Sequence, residues 1–209
     1  MVSQRLILSV MCLVFVHQAF AQDLNETDNE GAGSFDHLPV GQVSLVIGKA
    51  IVFSEHTGRE ELSRGYFLRE GDTIRTESNG HVHAKFRDGA VLSVRPSSEL
   101  RIVTYRYDEE NPEASTIKFD LIEGTARTVS GMAAKSARDR FRLNTPIAAI
   151  GVRGTDFVVS TTTNSLMALV NEGAIVVTPF SSQCVAQGIG PCGSNGVELD
   201  GGSMQILEF

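Results

Sequence analysis

The 209-residue chain carries 25 acidic against 18 basic side chains, a net charge of −7, and no tryptophan. An acidic chain without a concentrated basic stripe is a poor candidate for nucleic acid or an anionic membrane surface. Its length beyond the first forty residues is one domain's worth.

Residues 1–21 read as a secretory signal peptide. Arg5 is the only charge before Asp23, Leu6 to Val16 is apolar apart from Ser9, and Ala19-Phe20-Ala21 is a small-x-small cleavage pattern. The run is short for a bilayer span. The expectation is a chain cleaved after Ala21 and delivered to the periplasm or secreted. Loss of Arg5 would take the net charge from −7 to −8. Residues 22–38 form an acidic linker, with Asp23, Glu26, Asp28, Glu30 and Asp36 and too little apolar surface to order itself.

Residues 39–209 read as a single β domain, rich in Val, Ile and Thr and without a long helical period. His81 to Arg87 alternates, with Val82, Ala84 and Phe86 on one face. Leu92 to Val94 and Arg101 to Tyr107 also read as strands. Glu70-Gly-Asp72, Ser78-Asn-Gly80, Asp88-Gly89, Glu109 to Pro112 and Glu123-Gly124 carry turn chemistry. A loose cassette of glycine followed by alternating apolar residues recurs after Gly48, Gly71, Gly89, Gly124, Gly154, Gly173 and Gly202. Its irregular spacing excludes a strict repeat. The reading is an all-β domain, wound, solenoid-like or rolled, of short strands turning at glycine corners. One short helical segment is expected within Met132 to Phe141, which is Ala-rich and free of Gly and Pro.

Chemistry is sparse. His81 and His83 would share a strand face and could begin a metal site, but Lys85 and Arg87 continue that face and cations repel a metal. The sequence contains no Gly-x-Ser-x-Gly elbow and no phosphate-cradling loop. No cofactor, no metal and no catalytic residue is expected. Lys135, Arg138, Arg140 and Arg142 form a local basic cluster that could meet an anionic partner. Cys184 and Cys192 bracket a turn-rich loop. A disulfide is the favoured reading and a metal or redox pair the alternative, since Cys-x-x-Cys spacing and an adjacent His are both missing.

The most specific segment is Thr145-Pro-Ile-Ala-Ala-Ile-Gly-Val-Arg-Gly-Thr-Asp-Phe-Val-Val159. It reads as strand, tight turn, strand, with Gly151, Arg153, Gly154, Thr155 and Asp156 at the turn. Two readings of Arg153 stand: a pair with Asp156 or a neighbouring carboxylate that pins the turn, or an anion contact.

In this order of motifs the chain resembles the FecR-type periplasmic domain. Val43 to Val52, Leu68 to Thr76 with Gly71-Asp72, Phe86 to Val94 with Asp88-Gly89-Ala90, Phe119 to Ser130, and Thr145 to Val159 match in register, over roughly residues 40 to 180. The best understood members of that family are anti-sigma regulators with a cytoplasmic sigma-binding region and a membrane span. This chain, with a leader instead, is expected to be a stand-alone member. The resemblance implies a non-catalytic module that binds another protein of the cell envelope. A carbohydrate- or small-ligand-binding domain is the alternative, followed by a signal-transduction component related to FecR iron-transport regulators.

Overall fold

The computed structural model describes residues 38–193 and 195–202 and the backbone of 206–208. The expected leader (1–21) and, apart from Leu38, the expected acidic linker (22–38) lie outside the described residues, as does most of the cassette that follows Gly202.

The strands in chain order are β1 (Gly41–Ile47), β2 (Ala50–Ser54), β3 (Gly58–Glu61), β4 (Phe67–Leu68), β5 (Thr73–Thr76), β6 (His81–Phe86), β7 (Val91–Val94) and β8 (Glu99–Arg106). The 14-residue β9 (Thr116–Val129) follows, then helix α1 (Met132–Ser136) and a 3-10 turn at Arg138–Arg140. The chain continues through β10 (Phe141–Asn144), β11 (Ala148–Val152), β12 (Asp156–Thr161), β13 (Leu166–Glu172), β14 (Ala174–Pro179), β15 (Val197–Asp200) and β16 (Ile206–Glu208). The helical expectation over Met132 to Phe141 is met by α1 and the 3-10 turn, and Phe141 already belongs to β10.

Two sheets share β9. The first runs β4-β1-β6-β7-β9-β12-β13-β16 and the second β3-β2-β5-β8-β9-β10-β11-β14-β15. Residues 116–123 of β9 pair with β8, and residues 117–120 also pair with β10. Residues 126–129 pair with β7, and 124–129 with β12. Among the described strands every pairing is antiparallel except β9 with β10.

Glu123-Gly124, read as turn chemistry and as a glycine corner, lies inside the continuous strand β9. It is the bend at which one strand leaves one sheet and enters the other. Gly124 has φ +86°, and a Cβ there would lie 2.2 Å from Ser98 Oγ, so both conformation and space exclude a side chain. The cassette glycines Gly48, Gly71, Gly89, Gly124, Gly154 and Gly173 all have positive φ. All but Gly89, which closes the β6–β7 turn, carry the chain between the two sheets.

One hydrophobic core spans both sheets. Val82, Ala84 and Phe86 point into it as their alternation predicts, with Leu100, Ile102 and Tyr105 of β8 and Ile117, Phe119 and Leu121 of β9. Phe86 stacks on Tyr105 at 4.5 Å, and Phe119 meets both rings edge-on. Asp88 is buried at the margin of this cluster. Its carboxylate accepts the Tyr105 hydroxyl at 2.6 Å and the backbone N–H groups of Ala90 and Ala133 at 3.0 and 3.2 Å. The residue that sequence alone marks as a turn thus also ties α1 to the sheet. Beside the Asp88 carboxylate, burial pushes the Tyr105 phenol far above its usual value.

Candidate functional site

Thr145 and Pro146 close the β10–β11 hairpin. The Thr145 hydroxyl accepts from Ala148 N–H and donates to Ala148 C=O, both at 3.1 Å. From β11 the chain turns at Arg153, Gly154 and Thr155 into β12. These two strands do not pair: β11 lies between β10 and β14, and β12 between β9 and β13. The motif is a corner between sheets, as the alternation of apolar runs and glycines allows but does not dictate. Gly173, at the next corner, packs so closely that a Cβ would lie 2.3 Å from Gly154 O. Thr155 is buried; its amide N–H donates to Ser130 Oγ at 3.1 Å, while Ser130 N–H donates to Thr155 C=O.

The two charges of the motif do not pair with each other. Asp156 is held by Arg127 of β9 through two hydrogen bonds of 2.8 and 2.7 Å, which hold its carboxyl below the usual carboxylate range. Arg153 reaches across to Glu198 of β15 at 3.3 Å, with both side chains about half exposed. Of the partners open to Arg153, Asp156 is taken by Arg127, and the neighbouring carboxylate that Arg153 meets is Glu198. At the corner the strand direction changes, so consecutive residues project toward different neighbouring strands.

The basic cluster is also divided by the fold. Lys135, Arg138 and Arg140 are exposed, and Arg140 donates to Thr116 Oγ1. Arg142 is only 2% exposed and cannot serve as a surface contact. Parallel pairing of β9 and β10 sets Arg142 beside Lys118 and Asn144 beside Asp120. The 184–192 loop closes over this polar shelf, stapled by the Cys184–Cys192 disulfide. Arg142 donates to the carbonyls of Val185 (2.7 Å) and Gly190 (3.2 Å) and to Asn144 Oδ1 (2.8 Å). Lys118 Nζ and Asn144 Nδ2 both donate to Ala186 C=O. Burial lowers the pKa of the Lys118 and Arg142 side chains, and Asp120 opposes that shift. Lys118 and Asn144 were not identifiable from spacing, because both donate to Ala186 C=O, 68 and 42 residues away, and Asp120 accepts from Asn144 Nδ2.

The motif corner, the 3-10 turn and the disulfide loop meet at an open depression of about 500 Å³. Arg138, Gly151, Arg153, Pro191, Cys192 and Glu198 line it. Gly151 is required beneath the loop, since a Cβ there would lie 2.5 Å from Pro191. Guanidinium and carboxylate groups are both present, so the walls are amphoteric and the floor is apolar. His81 and His83 lie elsewhere, on β6. Their rings stack at 4.5 Å, and His83 Nδ1 contacts Ser93 Oγ at 3.0 Å. Burial lowers both imidazole pKa values, and Arg95 acts in the same direction on each. His81 and His83 are half-buried, while Lys85 and Arg87 further along the same face are exposed.

Two crystal structures of a "putative anti-sigma factor" from Parabacteroides distasonis ATCC 8503 resemble the chain with a TM-score of 0.41 and 17% identity, over 66% of this chain. This chain spans 58% of the length of those chains. No curated protein sequence matches it significantly. The sequence profile of the family described as FecR protein matches residues 72–176, just over half of the 209 residues and including the whole Thr145–Val159 motif. The chain belongs to the FecR family.

Proposed function

We propose that this protein is a non-catalytic interaction module of the cell envelope, and that the depression beside the family motif receives a segment of a partner protein. The observation that carries this reading is convergence: the motif corner, the exposed Arg138 and the disulfide loop border one open, braced surface. Its floor is held from beneath by the Gly151–Pro191 contact and by Arg142, so a partner would meet a preorganised wall. Arginines beside Val152, Val176 and Pro191, with no aromatic ring among the described lining residues, suit a protein segment better than a sugar, which stacks on aromatic rings. The disulfide supports an oxidising compartment, as does the leader read in residues 1–21. No helix among the described residues is long and apolar enough to cross a membrane. In this proposal the domain extends from residue 39 to the end of the sequence, preceded by the leader and the acidic linker.

Photocrosslinkers placed at Arg138, Arg153 and Val176, with Arg59 on the distant edge strand β3 as control, test the reading in cells. One envelope protein crosslinked from the first three positions and not from the control is the expected result, followed by direct binding of the purified pair. Equal crosslinking from all four positions would exclude the depression as the docking surface. Signal transduction is the second reading, favoured by the family match itself; it predicts that deleting the gene changes transcription of a defined regulon.

A further inference from the structure

The two sulfurs of the Cys184–Cys192 bridge stand in different chemical surroundings. Cys184 is buried, 2% exposed. The Arg142 guanidinium approaches its sulfur, Nη2 to Sγ 3.8 Å. Lys118 lies on the same shelf, so two cations face one carboxylate, Asp120. Cys192 is half-exposed and lines the open depression. Thiol–disulfide exchange is faster when the departing sulfur is the better stabilised thiolate and when the attacked sulfur is accessible. Here both conditions select the same direction.

We infer that Cys184–Cys192 is a directional thiol-exchange site, attacked at Cys192 from the depression, with Cys184 leaving as a thiolate held by Arg142. In the first step an external thiolate forms a bond to Cys192 Sγ. The Cys184–Cys192 bond breaks and its electron pair stays on Cys184 Sγ. The product is a mixed disulfide at Cys192 and a thiolate at Cys184, paired with the guanidinium. If the reagent is a dithiol, its second thiolate attacks the mixed disulfide and expels Cys192 as a thiolate. The protein gains two electrons and the dithiol becomes a cyclic disulfide. The substrate class is therefore a small or protein thiol, and no metal or flavin is needed for the balance. The site does not depend on the depression binding a partner protein.

Reduced glutathione is the probe, applied to the folded full chain with its bridge formed. Free thiols are then trapped with N-ethylmaleimide in acid and the peptides mapped by mass. Glutathione on Cys192 and maleimide on Cys184, in a ratio of about ten to one or more, is expected from the leaving-group difference. Equal labelling, the opposite pattern, or no adduct at glutathione concentrations that open the urea-unfolded chain would overturn the assignment. Arg142→Met should slow the opening about tenfold and erase the preference. Should that variant fail to fold, the wild-type adduct supplies a second measurement. Thiolate absorbance of Cys184 should titrate below the ordinary cysteine value of about 8.5, and a midpoint at or above it removes the role given to Arg142.

Discussion

Asp88 and Arg142 are buried charges of opposite sign, and the fold treats them differently. Asp88 is satisfied by donors within the core: the Tyr105 hydroxyl, the amide of Ala90 just before β7 and the amide of Ala133 in α1. Arg142 is satisfied by acceptors on a surface loop, the carbonyls of Val185 and Gly190, with Asn144 beside it. Asp88 therefore joins elements that unfold together, while Arg142 holds down a segment that can leave without dismantling either sheet. A buried charge strengthens whatever cooperative unit its partners belong to.

Asp88→Ala tests that contrast most severely. It strands the Tyr105 hydroxyl and two buried amides, and should cost about 3–5 kcal/mol of global stability. Chemical denaturation would measure it; a loss below about 1 kcal/mol would remove Asp88 from its place as a core anchor. Gly124→Val comes next. Its φ of +86° and the 2.2 Å approach to Ser98 require the β9 bend to move, at roughly 2–4 kcal/mol. Arg142→Met should cost about 2 kcal/mol or less globally, because the loop carbonyls regain water when the loop lifts. Hydrogen exchange should show the loss confined to residues 181–193 and the ends of β10 and β11. Equal loss of protection across β6 and β7 would break the comparison with Asp88.

The Arg127–Asp156 pair is smaller and depends on pH. Its arginine side chain is 42% exposed, so Arg127→Ala should cost only about 0.5–1 kcal/mol near neutrality after solvent screening. Folding lowers the Asp156 pKa. The contribution is therefore full above the unfolded carboxyl value of about 3.9 and is lost as pH falls through the folded value. Urea midpoints of wild type and Arg127→Ala should converge in acid; a constant gap would assign the effect to packing. Arg153→Ala should change stability by no more than about 0.5 kcal/mol, since its pair with Glu198 is half-exposed. Lost crosslinking to a partner with an unchanged Tm would sharpen its role as a contact residue.

Much of the β framework was legible. Val82, Ala84 and Phe86 alternate because a strand at the core margin buries every second residue. The cassette glycines mark positive-φ corners because few other residues adopt that conformation at low cost. The helical turn at Met132 follows from alanine content. What failed is as specific. Arg142 looks like its neighbours Arg138 and Arg140 in a basic run, yet a strand begins at Phe141 and turns it under the loop. Glu123-Gly124 reads as a turn and a glycine corner, but that it bends one continuous strand from sheet to sheet depends on which strands flank it, and those come from distant sequence.

By itself the sequence determined the class of structure, the corner positions and the family, because alternation, glycine and a fifteen-residue motif act through local backbone geometry. Only the tertiary structure decided partners. Parallel pairing of β9 with β10 put Lys118 beside Arg142, the corner at Gly154 sent Asp156 to Arg127 and Arg153 to Glu198, and the closed loop gave the two cysteines unlike surroundings. Those contacts join residues from about 24 to 45 positions apart, and hydrophobic patterning sets which face is buried without naming the strand that will lie opposite.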